Sequence, residues 1–425
     1  MSAPSKMKTM WFTAFGAVLE WYEFSLYGYL AIYLSVLFFP SDSKAIGLIS
    51  VFGIFAASYF MRPLGGFVMG HIGDRLGRRK AIVLSIGLMC IPMLIMTFMP
   101  TYDTAGVWAI IILVFARMLQ GFSVGGEFTG VLVMLTETAP THLRGFAASL
   151  ASTTSQIGII ISALTVGILS SILSYESMLE YGWRICFFVG FILGLVSLFM
   201  QHSVSESPYF EEIEKKHKTE KIPLLNALKG PKMPLLWVFV LTGYIGIGFY
   251  MMGTYLPNDF ISSGGLNVNI VMWITVVISI VYAATSPLFG WLSDIWGRKV
   301  MLIVPIFLLM ITAYPIFMLL NTNQVINILI AEGIFAALVA AMTASFQAVV
   351  NELFPTEHRY SGMSAAYNVG NAMFAGTTPM ISLALVGFFN TSYAPCYYLM
   401  IASFVTLILI WKMPETRNVK YFHNE

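Results

Sequence analysis

Charged residues are scarce in this chain: Asp, Glu, Lys and Arg make up only 10% of its 425 residues, whereas 58% are hydrophobic. Soluble domains carry about 25% charged residues, so this composition excludes a soluble globular protein and is typical of a membrane protein. The net charge of +2 does not by itself indicate a partner, and we expect no nucleic acid among the partners.

Cysteine is also rare. Cys90, Cys186 and Cys396 all fall in apolar stretches, where three thiols predict neither a disulfide framework nor a metal cluster. The alternating ten-residue patterns of a membrane barrel are absent, so helices must satisfy the backbone within the bilayer. We therefore expect an all-α protein of the lipid bilayer, with no metal site and no cleavable signal peptide.

Long apolar runs divide into twelve candidate transmembrane helices at polar or Gly/Pro patches. About 20 apolar residues cross the hydrocarbon layer. The predicted helices are approximately residues 11–39, 45–70, 81–99, 106–136, 144–174, 183–200, 234–258, 268–291, 299–319, 324–351, 360–388 and 393–412. They divide the chain into a first six-helix bundle at 1–200, a charged linker at 201–233 and a second bundle at 234–425.

The distribution of basic residues predicts the orientation. Nineteen of the 23 Lys and Arg residues fall at the two termini or in alternate turns, all on one side of this twelve-helix arrangement. Cytoplasmic loops carry the excess of positive charge. We therefore expect both termini in the cytoplasm, in a protein of the bacterial inner membrane.

Two segments repeat between the halves. The stretch "GHIGDRLGRRK" from Gly70 corresponds to "GWLSDIWGRKV" from Gly290, and "ETAPTHLR" from Glu137 corresponds to "ELFPTEHR" from Glu352. The offsets of 220 and 215 residues are close enough to indicate one duplication. Parallel six-helix repeats related about the membrane normal are the architecture of transporters that bind substrate near the midplane, between the halves.

The turn "GDRLGRRK" and its echo resemble the signature of the major facilitator superfamily. More narrowly, "LEWYEFSLYG", "MRPLGGFVMGHIGDRLGRRK", "RMLQGFSVGGEFTG", "SESPYF" and "ELFPTEHRYSGMSAAYNVGNAMFAGTTP" resemble its metabolite:proton symporter family. That family includes importers of proline and betaine, shikimate, citrate and oxoglutarate. The resemblance implies two pseudo-symmetric bundles, alternating access, and a proton gradient rather than a cofactor as the driving force.

Carboxylates inside the first helix are the strongest candidates for function. Glu20, Glu23 and Tyr27 share one stripe near the middle of the layer, where a charge costs about 2.5–3.5 kcal/mol. In the fourth helix Arg117, Gln120 and Glu127 interrupt an apolar pattern. We expect Glu20, Glu23, Arg117 and Glu127 to form one charge network that couples protonation to transport. We expect these four residues, together with Tyr27 and Gln120, to contact substrate.

The second half offers fewer charges. Glu332 is the only acidic residue that lies well inside the predicted helices of this half, and we expect it to contact substrate. Polar candidates for substrate binding are Tyr250, Tyr367, Asn368 and Asn371, and the last three precede a helix break at "GTTP".

The repeated turns predict a cytoplasmic gate. An Asp and an Arg at matched spacing can pair with neighbouring helix ends and stabilise their dipoles. The predicted gate residues are Gly70, Asp74, Arg75, Gly77, Arg78, Asp294, Gly297 and Arg298. A purely topological role of the basic cluster is the alternative.

These features together predict a proton-coupled importer of a small polar metabolite that is functional as a monomer. An acid-rich cavity would favour a zwitterion such as proline, betaine or another amino acid, with an organic acid as the alternative. A proton-independent facilitator or a membrane sensor are alternatives of another class, and an antiporter shares the fold. The stretch "GFSVG" matches a hydrolase elbow, but Ser123 lies within a predicted helix and no enzyme is expected.

Overall fold

The computed structural model describes residues 18–40, 43–125, 127–201, 232–263, 265–354 and 359–417. Across these ranges the regular structure is helical, and ten helices are long and apolar enough to cross a membrane. The predicted linker at 201–233 falls almost entirely outside the described residues, as does the predicted start of the first helix.

Twelve helical spans follow one another in the described chain, in agreement with the predicted all-α fold. The first six are α1 (18–29 and Ala31–Phe38), α2 (Lys44–Leu76), α3 (Arg78–Phe98), α4 (Val107–Val124 and Glu127–Thr138), α5 (Arg144–Ile172) and α6 (Trp183–Gln201). The next six are α7 (Lys232–Ser262), α8 (Val268–Trp296), α9 (Arg298–Leu320), α10 (Val325–Glu352), α11 (Arg359–Phe389) and α12 (Ala394–Ile410). Short helices at Tyr102–Ala105, Thr141–Leu143, Tyr175–Ser177 and Met178–Gly182 connect some of them.

Two of these helices contain a widened turn. Helix α7 is wound as π-helix at Met251–Tyr255, and α11 is wound in the same way at Asn371–Ala375. Such turns displace side chains from the regular helical register and are frequent at functional sites. The turn in α11 immediately precedes the break that "GTTP" predicted.

The repeated turns have matching backbone geometry. Gly77 joins α2 to α3 with φ of 114°, and Gly297 joins α8 to α9 with φ of 101°. A side chain is strained at such positive φ values, so glycine is required at both positions. We call the end of the bundle that carries these two turns the basic end, and the other the opposite end.

Glycines bring α2 and α4 into backbone contact. A Cβ atom on Gly65 would collide with the Phe122 carbonyl, and one on Gly121 would collide with the Ser58 carbonyl. Small residues allow this close approach, and dispersion between the backbones then stabilises the crossing. The crossing fixes how α2 and α4 present their polar residues to α1.

The first six helices meet the last six at both ends of the bundle. At the opposite end, the Asn258 amide on α7 donates to the Gly28 carbonyl on α1 at 2.9 Å, and the Ser170 hydroxyl on α5 donates to Asn269 on α8 at 2.5 Å. Towards the basic end, the Asn368 amide on α11 donates to the Gly125 carbonyl at 2.6 Å. The space between the halves is therefore bridged on both sides.

Candidate functional site

A cavity of about 50 Å³ lies between the halves and is lined by aromatic and neutral polar side chains. Trp21 on α1 packs edge-on against Phe249 on α7, with ring centroids 4.9 Å apart, and lies nearly parallel to Tyr250 at 6.4 Å. Tyr367 on α11 stacks between Phe128 and Phe346, at 5.7 and 6.3 Å. These six rings form what we call the aromatic box.

Neutral polar side chains complete the wall of this central cavity. They are Ser152, Ser155, Gln156, Thr242, Tyr282, Thr343, Gln347 and Asn371. The Gln347 amide donates to the Ser152 hydroxyl at 2.8 Å and thereby joins α10 to α5 across the cavity. The Gln156 amide nitrogen and the Thr242 hydroxyl are buried and have no hydrogen-bond partner among the described residues, so both are available to a ligand.

A buried ion pair lies behind the aromatic box. The Arg62 guanidinium on α2 donates to the Glu20 carboxylate on α1 at 3.2 Å, and both side chains are at most 2% exposed. Arg62 also lies 5.0 Å from the centre of the Tyr59 ring, and Tyr59 donates a hydrogen bond to the Tyr250 hydroxyl. A chain of contacts therefore connects Glu20 to a residue of the second half that lines the cavity.

A second buried cation lies close to this ion pair. The Arg117 guanidinium is 4.1 Å from the centre of the Tyr27 ring and donates to the Gln120 side chain. Glu23 interacts electrostatically with Arg117 and with Glu20. The described carboxylates of α1 thus have different principal partners, Arg62 for Glu20 and Arg117 for Glu23.

Asp294 forms a clamp between the halves at the basic end. Its two carboxylate oxygens accept the backbone N–H groups of Gly145 and Phe146, both at 2.9 Å, at the start of α5. A carboxylate is favoured there because the first N–H groups of a helix lack intrahelical partners and carry partial positive charge. Arg298 holds Asp294 from the other side at 2.8 Å.

The clamp is supported by residues beyond the repeated motif. Arg298 donates to both oxygens of Glu352 on α10, at 3.2 and 3.0 Å, and the Thr416 hydroxyl donates to the same carboxylate at 2.6 Å. Glu415 accepts the backbone N–H groups of Arg298 and Lys299 at 2.9 and 3.0 Å. The segment after α12 thus packs against the start of α9.

Comparison with known families identifies this arrangement. Residues 9–235 match the family model described as Sugar (and other) transporter, and residues 238–424 match the one described as Major Facilitator Superfamily. The chain belongs to the major facilitator superfamily. This confirms the resemblance carried by the sequence motifs, and the two matched segments meet close to the predicted linker.

Curated relatives in this superfamily are transporters. The chain is 32% identical over 415 residues to a proline/betaine transporter of Escherichia coli, covering 95% of this chain and 82% of that one. It is 32% identical over 418 residues to a glycine betaine/proline/ectoine/pipecolic acid transporter of Dickeya dadantii, with the same coverages. It is also 32% identical over 378 residues to an E. coli shikimate transporter, covering 88% and 86%. The chain is thus an integral membrane transporter rather than an enzyme, as the sequence predicted.

A solved structure shows the same major facilitator fold. A xylose transporter from E. coli, in a partially occluded inward-open conformation, superposes with a TM-score of 0.78 at 17% identity, covering 98% of this chain and 100% of that one. At this identity the similarity concerns the fold alone. It agrees with the twelve-helix arrangement predicted for this chain.

Three of the residues predicted to contact substrate, Tyr250, Tyr367 and Asn371, line the central cavity of this major facilitator fold. Glu332 lines a separate cavity. The other predicted contacts with described side chains lie outside both linings, namely Glu20, Glu23, Tyr27, Arg117, Gln120 and Asn368. The Glu127 side chain lies outside the described part of the structure, so the place of this residue in the network stays a prediction.

The structure differs from the expected acid-rich cavity, because none of the described side chains lining it is charged. Trp21, which follows Glu20, faces the cavity instead, since successive helical residues point about 100° apart. Trp21, Gln156, Thr242 and Arg62 were not among the predicted site residues. For Arg62, a charge inside a membrane helix was a signal.

Among the predicted gate residues, Asp294, Gly297 and Arg298 lie in the basic-end clamp. Their counterparts Asp74 and Arg78 have side chains outside the described structure. Gly70 is buried and Arg75 is exposed. No group of three or more His, Cys, Asp or Glu residues suited to a metal ion occurs in the described ranges.

Proposed function

We propose that this transporter imports a small zwitterion, of the betaine or proline type, together with a proton. The observation that carries this proposal is the aromatic box of the central cavity. An aromatic face attracts a cation such as a quaternary ammonium group by about 0.5–1 kcal/mol at an exposed site and by about 2 kcal/mol when desolvated. The named substrates of the E. coli and Dickeya relatives, glycine betaine and proline, are zwitterions.

The neutral polar wall suits the other end of such a substrate. The free Gln156 amide and Thr242 hydroxyl can donate to a single carboxylate without the cost of a buried counter-charge. Aromatic and amide contacts thus favour a zwitterion, rather than the ionic contacts expected from the sequence. A multiply charged anion would find no cation in the described lining.

For proton coupling, we propose that the Glu20–Arg62 ion pair is the switch. Removing the charge of Glu20 leaves Arg62 without its partner, which is costly in a buried site. Arg62 contacts Tyr59, and Tyr59 is bonded to Tyr250 of the second half. Protonation of Glu20 thereby alters the Tyr59–Tyr250 contact between the halves, beside the bound substrate. The neighbouring pair of Glu23 and Arg117 keeps the local charge balanced.

Transport then follows by alternating access. Contacts at the two ends of the bundle, such as the Asp294 clamp and the Asn258 bond to α1, cannot both be broken without exposing the cavity to both sides. We propose that the basic end is cytoplasmic, that both termini lie in the cytoplasm of a bacterial cell, and that the inner membrane is the location. We further propose that the monomer is functional and that the proton gradient drives uptake without a cofactor.

An organic acid is the second candidate substrate, favoured by the relationship to the shikimate transporter. A monocarboxylate with several hydroxyl groups would use the same amide and hydroxyl donors. It would gain nothing from the aromatic box as a cation site.

The deciding experiment is uptake into proteoliposomes of labelled glycine betaine, proline and shikimate, with and without an inward proton gradient. We expect accumulation of glycine betaine or proline only with the gradient. Uptake of shikimate but not of glycine betaine or proline would show that the substrate is an organic acid. Uptake independent of the gradient would show that transport is not coupled to protons. Empty liposomes and liposomes with the Trp21→Ala variant serve as controls.

A further inference from the structure

A second cavity of about 20 Å³ lies between α1, α5, α7, α8 and α10, towards the opposite end of the bundle. Glu332 on α10 contributes the only carboxylate among its described lining residues. Tyr29, Gln156, Thr275 and Ser279 contribute oxygen atoms. We call this space the outer cavity.

Glu332 is 2% exposed, and no basic side chain lines the outer cavity in the described structure. Its surroundings therefore differ from those of Glu20 and Glu23, each of which has an arginine nearby. An uncompensated carboxylate in such a place is unfavourable by several kcal/mol. Tyr29 is the one other titratable side chain among the described residues that line this cavity. Since no described side chain of the lining balances a charge on Glu332, we infer that a bound proton or cation neutralises it.

The size of the outer cavity limits what can neutralise Glu332. A water needs about 10–15 Å³ of such volume, so the space holds one or two particles of that size. An organic ammonium group is too large, whereas a proton or a small inorganic cation fits. Hydroxyl, amide and carboxylate oxygens are the ligands that hard cations prefer.

Two further features connect the outer cavity with transport. Met252 and Gly253 in its wall belong to the π-turn of α7, and interrupted helices commonly form coupling-ion sites in transporters. Gln156 and Phe249 line both cavities and form the partition between them. The Gln156 amide nitrogen has no partner among the described residues, so it can reorient when either cavity is filled.

We propose that the outer cavity binds a monovalent cation at Glu332, a proton or a sodium ion, and that this cation moves with the substrate in addition to the proton on α1. The binding site stands on the outer cavity itself, whereas its coupling to transport rests on the proposed function. A proton would form an O–H bond on the Glu332 carboxylate. A sodium ion would be held by that carboxylate and by the surrounding neutral oxygens.

The first test needs no substrate. The thermal stability of the purified full-length protein is measured against pH in potassium buffer, and against sodium or choline chloride at pH 8. Because Gln is neutral, Glu332→Gln should lose the part of the wild-type stabilisation that the cation supplies. Loss of a sodium response identifies sodium, and loss of a pH response alone identifies a proton. Identical responses of the two proteins would overturn the proposal.

Two further variants serve as controls for the stability measurements. Glu180→Gln, which neutralises an exposed carboxylate between α5 and α6, should respond as the wild type does. Ser279→Ala should weaken a sodium response while leaving a proton response intact. If instead Glu180→Gln reproduces the effect of Glu332→Gln, the effect is not specific to the outer cavity and the proposal fails.

The second test measures stoichiometry with labelled glycine betaine from reversal potentials in proteoliposomes. We expect the wild type to carry one more cation per betaine than Glu332→Gln does. An unchanged ratio would show that Glu332 does not take part in coupling. If betaine is not transported at all, the proposed substrate is wrong, but the stability measurements still decide whether Glu332 binds a cation.

Discussion

The clamp at the basic end gives the sharpest quantitative prediction, for the variant Asp294→Asn. The Asp294 carboxylate joins the halves by accepting the N–H groups of Gly145 and Phe146, and it also pairs with Arg298. Asparagine keeps one carbonyl oxygen, so at most one of the two N–H groups retains an acceptor. Arg298 still has Glu352 and is not left unpaired.

The magnitude follows from what is lost. One charge-assisted hydrogen bond contributes about 1.5–3 kcal/mol, and a charge at a helix N-terminus contributes up to about 1 kcal/mol more at ordinary exposure. We therefore expect the closed basic end to lose about 2–4 kcal/mol relative to the open one. At about 1.4 kcal/mol per factor of ten, the open population rises roughly 30- to 700-fold.

Cysteine accessibility measures this change. The three native cysteines are replaced by alanine, and Ser149→Cys places a reporter on α5 close to Gly290 of α8. In inside-out vesicles we expect Asp294→Asn to speed labelling by an impermeant maleimide at least tenfold. The control Asp103→Asn, at an exposed site in Tyr102–Ala105, should leave the rate unchanged. Equal rates in both variants, with both proteins folded, would refute the clamp.

Three further predictions concern the site and the fold. Glu20→Gln should abolish proton-driven accumulation of betaine but preserve exchange of labelled for unlabelled betaine, measured by counterflow, because it removes a switch and not a substrate contact. Trp21→Ala should weaken betaine binding about tenfold, since one cation–π contact is lost, while Trp21→Phe should recover part of the affinity in the same binding assay. Gly121→Ala should reduce the yield of monodisperse protein in size-exclusion chromatography, because its Cβ has no room against α2, whereas Gly87→Ala, which meets nothing within 4 Å, should not.

Much of the fold was predictable because the bilayer imposes simple rules. Helix lengths follow from hydrophobic thickness, and the duplicated turns at Gly77 and Gly297 follow from a repeat that also requires positive φ. The contact of Asp294 with a helix end was predictable in kind. Its actual partners on α5, and the support from Glu352 and Thr416, depend on how α8 packs against the other half.

The aromatic box was not predictable from the sequence. Tyr250 and Tyr367 were candidates because of their hydroxyl groups, but the other four rings are apolar, and an aromatic facing a cavity has the same local pattern as one facing lipid. The partner of Glu20 was equally hidden. The sequence placed Arg117 in the network with Glu20, whereas the structure pairs Glu20 with Arg62 on α2, a choice that depends on how α1 packs against α2 and α4.

The segment after α12, residues 411–417, has a practical consequence for the design of fusions. Glu415 and Thr416 are hydrogen-bonded to α9 and to Glu352, and the Arg417 side chain donates to the Ile295 carbonyl at 2.5 Å. Affinity tags or fluorescent reporters should therefore be joined beyond residue 417. A fusion placed directly after the last helix would remove these bonds and alter the very equilibrium that a transport assay is meant to report.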